Sequence, residues 1–92
     1  MRAVLCKEYG PPESLVIEEL PSAPVGKGQV RVAVRACGVN FPDTLIIEGK
    51  YQFKPDLPFS PAGELCGEIA ALGPGVSGWR EGARVLAYVG WG

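Results

Sequence analysis

The sequence predicts a mainly β fold, a small antiparallel barrel with one short helix. Thirteen glycines and nine prolines among 92 residues supply many turns, and this favours short strands over a helical bundle. Three valines alternate with Arg31, Ala33 and Arg35, a period of two that predicts a strand with one face in the core and one in water. A chain of this length has room for one domain with a single core.

The elements before the helix are separated by turn formers. The apolar residues 3–6 and the extended segment 15–20 predict an opening hairpin or meander, broken by Gly10-Pro11-Pro12. Residues 21–28 are too rich in proline and glycine for a regular element and predict a surface loop. The valine-rich segment 29–37 is the clearest strand.

The pattern then changes to helical spacing. Residues 41–48 predict one or two helical turns, which Gly49 would end. Residues 51–61 predict a loop whose backbone is restricted by three prolines. Two further strands are predicted at 63–72 and 83–89, on either side of a glycine-rich turn. Five or six short strands with one helix are typical of a small barrel.

Charge and composition exclude several classes of function. Nine basic and ten acidic side chains, without a run of like charge, give no reason to expect nucleic acid or an anionic membrane as a partner. The four apolar residues before Lys7 are too few for a signal-peptide core or a membrane span. We therefore expect a soluble cytoplasmic protein.

The cysteine and histidine content limits metal and nucleophile chemistry. The chain has no histidine, so a His-ligated zinc site and a Ser–His or Cys–His pair are excluded within it. Cys6, Cys37 and Cys66 are widely spaced, which predicts reduced, buried thiols and neither a disulfide framework nor a metal clip. We expect no metal.

The segment Gly73–Gly78 matches the pattern GxGxxG of dinucleotide-binding loops. That motif works by opening a helix whose N-terminus meets the pyrophosphate, with an acidic residue about 20 positions further on. Here the next residues lead back into a strand, and fewer than 20 remain. We therefore predict a β-hairpin or bulged turn.

The candidate site lies in a glycine-rich and proline-rich stretch whose hydrogen-bonding members are Asn40, Asp43 and Tyr51. Such a stretch allows sharp turns and close approach to a ligand. Helix capping alone would also explain Asn40 and Asp43, and Tyr51 could be a surface aromatic residue. Glu64, in a predicted strand, is expected to be solvated or locally paired.

The chain resembles the zinc-independent quinone oxidoreductases of the medium-chain dehydrogenase/reductase superfamily, in the order and spacing of motifs along nearly its whole length. These motifs are Met1-Arg2-Ala3-Val4, Gly10-Pro11-Pro12-Glu13, Gly28-Gln29-Val30, Gly38-Val39-Asn40, Asp43, Gly49-Lys50-Tyr51, Pro58-Phe59, Gly63-Glu64, Gly67 and Gly82-Ala83-Arg84-Val85.

The resemblance implies that residues 1–92 are an incomplete amino-terminal GroES-like segment of a catalytic domain, and that a Rossmann domain absent from this chain binds most of the NADPH. The parent protein would be a homodimer that reduces small quinones or α,β-unsaturated carbonyls. By resemblance, Asn40, Asp43 and Tyr51 would be catalytic residues, and Asn40 and Tyr51 would contact the cofactor. Asp43 would fix the geometry rather than act as a base.

Zinc-dependent relatives differ from this chain at two positions. The position of Asn40 resembles that of a catalytic cysteine ligand in those relatives, and the position of Gly63 resembles that of a zinc-binding histidine. The resemblance therefore implies chemistry without zinc. Two departures from the quinone reductase pattern are Leu45, where some of these enzymes carry tyrosine, and Ala83, which replaces an aspartate of a turn.

Two other functions fit the sequence. One is a non-enzymatic GroES-like interaction or oligomerisation module, with Phe59, Trp79 and Trp91 as contact aromatics; fold alone does not separate it from an enzyme. The other is the enoyl-reductase segment of a multidomain synthase.

Overall fold

The computed structural model describes residues 1–92 and contains two antiparallel sheets and one short α-helix. β1 pairs with β2, and a second sheet has the strand order β3-β4-β5. The elements in chain order are β1 (Arg2–Leu5), a 3₁₀ turn (Pro12–Ser14), β2 (Val16–Glu19), β3 (Val30–Gly38), α1 (Phe41–Ile46), β4 (Glu64–Leu72) and β5 (Arg84–Tyr88).

The predicted fold class is confirmed: the structure is mainly β, antiparallel, and has one short helix. The two sheets do not close into a barrel. Closure requires two neighbours for every strand, and β4 alone has them. A single bridge between Cys6 and Phe59 links the β1 end of the chain to the loop before β4. The helix is six residues long, and no helix is long and apolar enough to cross a membrane.

Strand β3 forms as expected, but the face that was predicted to lie in the core is only partly buried. Val30 and Val34 are 37% and 50% exposed. Val32, between them, is half-buried beside its buried partner Ile69, and register shifts at Arg31/Val32 and Val34/Ala36 interrupt the alternation of side chains. The three-stranded sheet therefore has a largely open surface.

The main hydrophobic cluster lies under the helix rather than between the sheets. Cys6, Ile46, Ile47 and Phe59 are buried together, and Tyr51 packs against them. The backbones of Cys6 and Phe59 exchange two hydrogen bonds, of 2.8 and 3.2 Å. This cluster holds the C-terminal half of α1, so the N-terminal end of the helix is fixed beside the start of β4.

The glycine-rich segment 73–78 is a turn between β4 and β5, as predicted. Gly75 and Gly78 both adopt φ of +81°, a backbone conformation that residues with a Cβ rarely adopt. No helix follows the segment, so it lacks the helix N-terminus that holds a pyrophosphate in dinucleotide-binding loops.

Candidate functional site

A cleft of about 580 Å³ lies between the N-terminal end of α1, the start of β4 and the segment 88–91. Clefts of this size are common for small-molecule sites. The structure brings the three candidate residues, Asn40, Asp43 and Tyr51, to this one cleft. Its other lining residues are Pro42, Ile46, Phe53, Gly63, Glu64, Tyr88, Val89, Gly90 and Trp91.

Asn40 and Asp43 occupy the N-cap and N3 positions of α1. They are placed as in a capping box, with each side chain facing the backbone N–H of the other residue, and the bond to Asp43 is the one of full hydrogen-bond geometry. The backbone N–H of Asn40 donates to Asp43 Oδ2 at 2.8 Å, whereas the Asn40 side chain makes no capping hydrogen bond. The N–H of Asp43 donates instead to the Asn40 carbonyl oxygen at 3.0 Å. The amide of Asn40 is therefore available to a ligand in the cleft.

Asp43 also contacts the loop before β4. The backbone N–H of Ala62 donates to Asp43 Oδ1 at 3.1 Å, and Ala62 has a φ of +78°. This is an uncommon conformation for a residue with a side chain. Both oxygens of the Asp43 carboxylate are thus engaged by backbone donors, and the carboxylate joins the helix to the opposite side of the cleft.

Gly63 allows two backbone segments to approach each other at the base of the cleft. It is buried, and a Cβ at this position would lie 2.6 Å from the carbonyl oxygen of Gly90. The N–H of Val89 donates to the Gly63 carbonyl oxygen at 2.6 Å. A glycine is needed here because any side chain would push the segment 88–91 out of the cleft wall.

One side of the cleft is a row of three aromatic rings, Tyr51, Phe53 and Trp91, which we call the aromatic wall. The rings of Tyr51 and Phe53 meet edge to face with centroids 5.9 Å apart, and Phe53 and Trp91 are tilted with centroids 6.3 Å apart. Tyr51 is partly buried against the hydrophobic cluster, whereas Phe53 is 54% and Trp91 37% exposed.

The charges of the cleft are all negative. Asp43 and Glu64 are its charged residues, and no lysine or arginine lines it. Glu64 is exposed, in agreement with the expectation of a solvated carboxylate, and it takes part in no salt bridge. The site offers a neutral amide, a phenol and apolar surface, and it lacks a cation that could hold an anionic group.

The comparisons with known proteins agree with this architecture. Residues 26–91 match the alcohol dehydrogenase GroES-like domain. The chain belongs to this family. Its relatives include proteins named quinone oxidoreductase or quinone oxidoreductase-like, and its structural neighbours include quinone oxidoreductases of the medium-chain dehydrogenase/reductase superfamily. The resemblance that the sequence motifs indicated is thereby confirmed.

Three relatives illustrate the match to this GroES-like chain. A quinone oxidoreductase-like protein 2 homolog of Nematostella vectensis is 49% identical over 92 residues, which are 99% of this chain and 25% of the relative. The crystal structure of the human synaptic vesicle membrane protein VAT-1 homolog-like protein superposes with a TM-score of 0.93 at 33% identity, covering 99% of this chain and 29% of the other. The structure of the Escherichia coli quinone oxidoreductase in complex with NADPH superposes with a TM-score of 0.90 at 30% identity. The match covers 97% of this chain and 27% of the other.

The chain spans about a quarter of the length of the curated relatives it matches. The identity extends over nearly all of its own residues. The GroES-like chain can therefore be compared with the relatives along its full length. The activity of a whole protein can only be proposed from this match.

The three cysteines of the GroES-like chain differ in their surroundings, and the expectation that all are buried is wrong. Cys6 is fully buried, Cys66 is half-buried, and Cys37 is exposed on the uncovered sheet. Burial raises the pKa of the Cys6 thiol above its ordinary value. The Cys6 Sγ–H donates to the Glu8 carbonyl oxygen at 3.2 Å. No group of three or more cysteine, aspartate, glutamate or histidine side chains is placed to hold a metal ion.

Sequence reasoning missed part of the cleft. Phe53, Tyr88 and Gly90 line it, and neither Phe53 nor Tyr88 stands in a recognisable motif. Phe53 follows Tyr51 by two residues, which is a spacing that could have signalled a shared face of an extended segment. Trp91 was assigned to an interaction surface and belongs to the aromatic wall, while Phe59 is 3% exposed and cannot be a contact aromatic.

Proposed function

We propose that residues 1–92 are the amino-terminal GroES-like segment of the catalytic domain of an NADPH-dependent oxidoreductase, which reduces quinones or α,β-unsaturated carbonyls without zinc. The Rossmann domain that binds most of the nucleotide lies outside this chain. The observation that carries the proposal is the Asn40 side-chain amide, which lines the cleft and makes no hydrogen bond within the chain. Relatives named quinone oxidoreductase support the reaction class.

The cleft fits one end of NADPH. The Asn40 amide and the Tyr51 hydroxyl are neutral groups that suit an uncharged carboxamide ring, and we assign them to the nicotinamide end of the cofactor. The turn at 73–78 opens no helix and cannot hold the pyrophosphate. A solved relative contains NADPH, and this supports the choice of cofactor.

The reduced nicotinamide would supply a hydride, and the residues of this chain would orient the substrate and stabilise its developing charge. Asn40 would donate its amide N–H to the substrate carbonyl oxygen as that oxygen becomes negative, because a fixed donor stabilises the charge that develops there. Tyr51 would donate from its hydroxyl. Asp43 would position Asn40 through the 2.8 Å bond to its backbone N–H.

A reaction without zinc is consistent with the donors present. The residues that could bind zinc are the carboxylates of the cleft and the thiols outside it. No three of them form a group that could hold a metal ion. Catalytic zinc sites use three protein ligands. The polarisation of the substrate carbonyl is therefore assigned to hydrogen bonds from Asn40 and Tyr51.

The test is to replace Asn40 in the full-length protein that carries residues 1–92. We expect Asn40→Asp and Asn40→Ala to lower the rate of NADPH-dependent quinone reduction by about 100-fold or more, as the loss of an oxyanion donor does. Asn40→Asp keeps an acceptor facing the Asp43 N–H, so its free energy of unfolding should change by less than about 0.5 kcal/mol. Asn40→Ala loses that contact and should cost about 0.5–2 kcal/mol. Steady-state rates and melting curves are measured on the same samples.

The control is Gln52→Ala, which removes an exposed amide outside the cleft and should leave the rate unchanged. A stable Asn40→Asp enzyme with normal turnover would remove Asn40 from the proposed site. A wild-type protein that oxidises no NADPH with quinones or enones would refute the proposed function itself and favour a binding module.

A further inference from the structure

We propose that Tyr9, which lies outside the cleft, is a positioning residue that fixes the Tyr51 hydroxyl by covering the turn at the end of α1. Its effect on the rate rests on the proposed function. The placement of the Tyr51 ring is a separate claim, because it stands on the contacts of the turn and can be measured without turnover.

The first support is the contact between the Tyr9 ring and the backbone of Gly49. A Cβ at Gly49 would lie 3.2 Å from Cγ and from Cδ1 of the Tyr9 ring, and 3.3 Å from Cδ2. These nearly equal distances place the face of the ring over the α-carbon of Gly49. Gly49 has a φ of +70°, so glycine is needed here both for the backbone conformation and for the space that the ring occupies.

The second support is the form of the turn that the ring covers. The N–H of Lys50 donates to the Leu45 carbonyl oxygen at 2.9 Å, and the N–H of Gly49 donates to the Ile46 carbonyl oxygen at 3.2 Å. Such a pair of bonds around a glycine of positive φ is a common way for a helix to end. Tyr51 is the next residue after the turn, so the direction in which the chain leaves the turn sets the position of its side chain.

The third support is a hydrogen bond between the same two segments. The N–H of Gly10, next to Tyr9, donates to the Ile47 carbonyl oxygen at 3.0 Å. Ile47 is the C-cap residue of α1, and carbonyl groups at the end of a helix have no partner within the helix. Residues 9 and 10 therefore hold the end of α1 through one ring contact and one hydrogen bond.

The fourth support is the lack of any hydrogen bond that would fix the Tyr51 hydroxyl directly. This hydroxyl forms no hydrogen bond within the chain. The ring packs against the hydrophobic cluster and lines the cleft, so the hydroxyl lies where the backbone of the turn holds the ring. A displacement of about 1 Å at a reacting group can lower a rate by about 100-fold.

The first experiment measures the placement of the Tyr51 ring without turnover. 3-Fluorotyrosine replaces Tyr51 in the full-length protein, and its fluorine NMR signal reports the surroundings of the ring. Tyr9→Leu keeps apolar bulk but lacks a flat face, so we expect the signal to shift or split. Tyr9→Phe should keep the wild-type signal, because the ring face makes the contact. The control is Trp79→Leu, which removes an aromatic ring that is 58% exposed and outside the cleft, and it should leave the signal unchanged.

The second experiment measures the rate of quinone reduction with NADPH. Tyr9→Leu should lower kcat by about 10- to 100-fold, and Tyr9→Phe should restore it. The substrate is dimethylnaphthoquinone, in which both free positions of the quinone ring are substituted, because Cys37 is exposed and would add to an unsubstituted naphthoquinone. Melting curves show that each variant is folded at the assay temperature.

A double-mutant cycle separates positioning from a general loss of packing. Tyr51→Phe removes the hydroxyl, so Tyr9→Leu then has no donor to misplace. In this background Tyr9→Leu should change kcat by less than about twofold, the range within which independent effects add. A general loss of packing would lower kcat by the same factor in both backgrounds.

The outcomes separate this proposal from the proposed function. An unchanged fluorine signal in Tyr9→Leu, or an equal loss of kcat with and without the Tyr51 hydroxyl, would overturn the positioning role even if the wild type reduces quinones. A signal that changes in Tyr9→Leu and is restored in Tyr9→Phe supports the placement even in a protein without turnover, and such a protein would refute the proposed function alone.

Discussion

Asp43 accepts a hydrogen bond from the backbone of Ala62, 19 residues further along the chain, at 3.1 Å. Ala62 adopts a φ of +78° at that point. The other Asp43 oxygen accepts the N–H of Asn40 at 2.8 Å. One carboxylate therefore satisfies two backbone donors and sets the distance between the helix, which borders the cleft, and the loop that leads into β4.

The first prediction follows from these two bonds. Asp43→Asn keeps one acceptor oxygen and places an NH₂ group against a backbone N–H, so one donor is left without a partner. We expect the free energy of unfolding to fall by about 1–3 kcal/mol, measured by denaturant titration. Asp56→Asn is the control, because Asp56 is exposed in the loop 51–61 and should cost less than about 0.5 kcal/mol. Equal effects of the two variants would contradict the link.

The second prediction concerns the backbone of Ala62. A residue with a Cβ pays roughly 1–2 kcal/mol in the left-handed region, and glycine pays about 0.5–1 kcal/mol through the entropy of the unfolded chain. Ala62→Gly should therefore leave the melting temperature unchanged or raise it slightly. Ala87→Gly, in the paired, extended backbone of β5, should lower it. A clear loss of stability in Ala62→Gly would show that the φ of Ala62 stores no strain.

The sequence was a good guide to local structure and a poor one to burial. Turn formers predicted the order of the elements and the nature of the 73–78 turn, because glycine and proline act through local backbone preferences. The alternation around Val32 predicted a strand, but it could not show how little of that strand is covered by the rest of the chain. The same limit explains Cys37, whose exposure depends on what packs over the sheet.

The candidate site was predicted only in its polar part. Asn40, Asp43 and Tyr51 stand in short motifs, and the structure brings them to one cleft. Phe53 and Trp91 join them through tertiary contacts over about 40 positions of chain, which no local pattern encodes. The absence of a capping bond from Asn40 is also a matter of side-chain geometry, so the sequence alone left capping and ligand binding as open alternatives.

The third prediction is a difference in thiol reactivity. Cys37 is exposed and Cys6 is fully buried. We expect N-ethylmaleimide to modify Cys37 in the folded protein at neutral pH and to modify Cys6 only on unfolding, since the reactive form is an accessible thiolate. Peptide mass spectrometry over time measures both rates. Cys37→Ser should leave the Cys6 rate unchanged, and fast labelling of Cys6 in the native protein would contradict its burial.

The raised pKa of Cys6 gives a related dependence of stability on pH. The folded state favours the neutral Cys6 thiol, and this preference adds to the free energy of unfolding. The contribution is fully present at pH values below the ordinary thiol pKa. The contribution is lost as the pH rises through the raised pKa of the folded state. Denaturant titrations on the alkaline side should show this loss in the wild type and less of it in Cys6→Ala.

The last prediction tests the negative charge of the cleft. Glu64 is exposed and lines the cleft, and two like charges about 4 Å apart repel by about 1 kcal/mol in water. Glu64→Gln in the full-length protein should raise kcat/KM for a naphthoquinone sulfonate about two- to fivefold at low salt and leave neutral dimethylnaphthoquinone unchanged. Salt should reduce the gain, because it screens charges at the surface. The control is Glu81→Gln, because Glu81 is exposed and lies outside the cleft. An equal gain in kcat/KM for the neutral quinone in Glu64→Gln would mean that the Glu64 carboxylate acts through its shape and not through its charge.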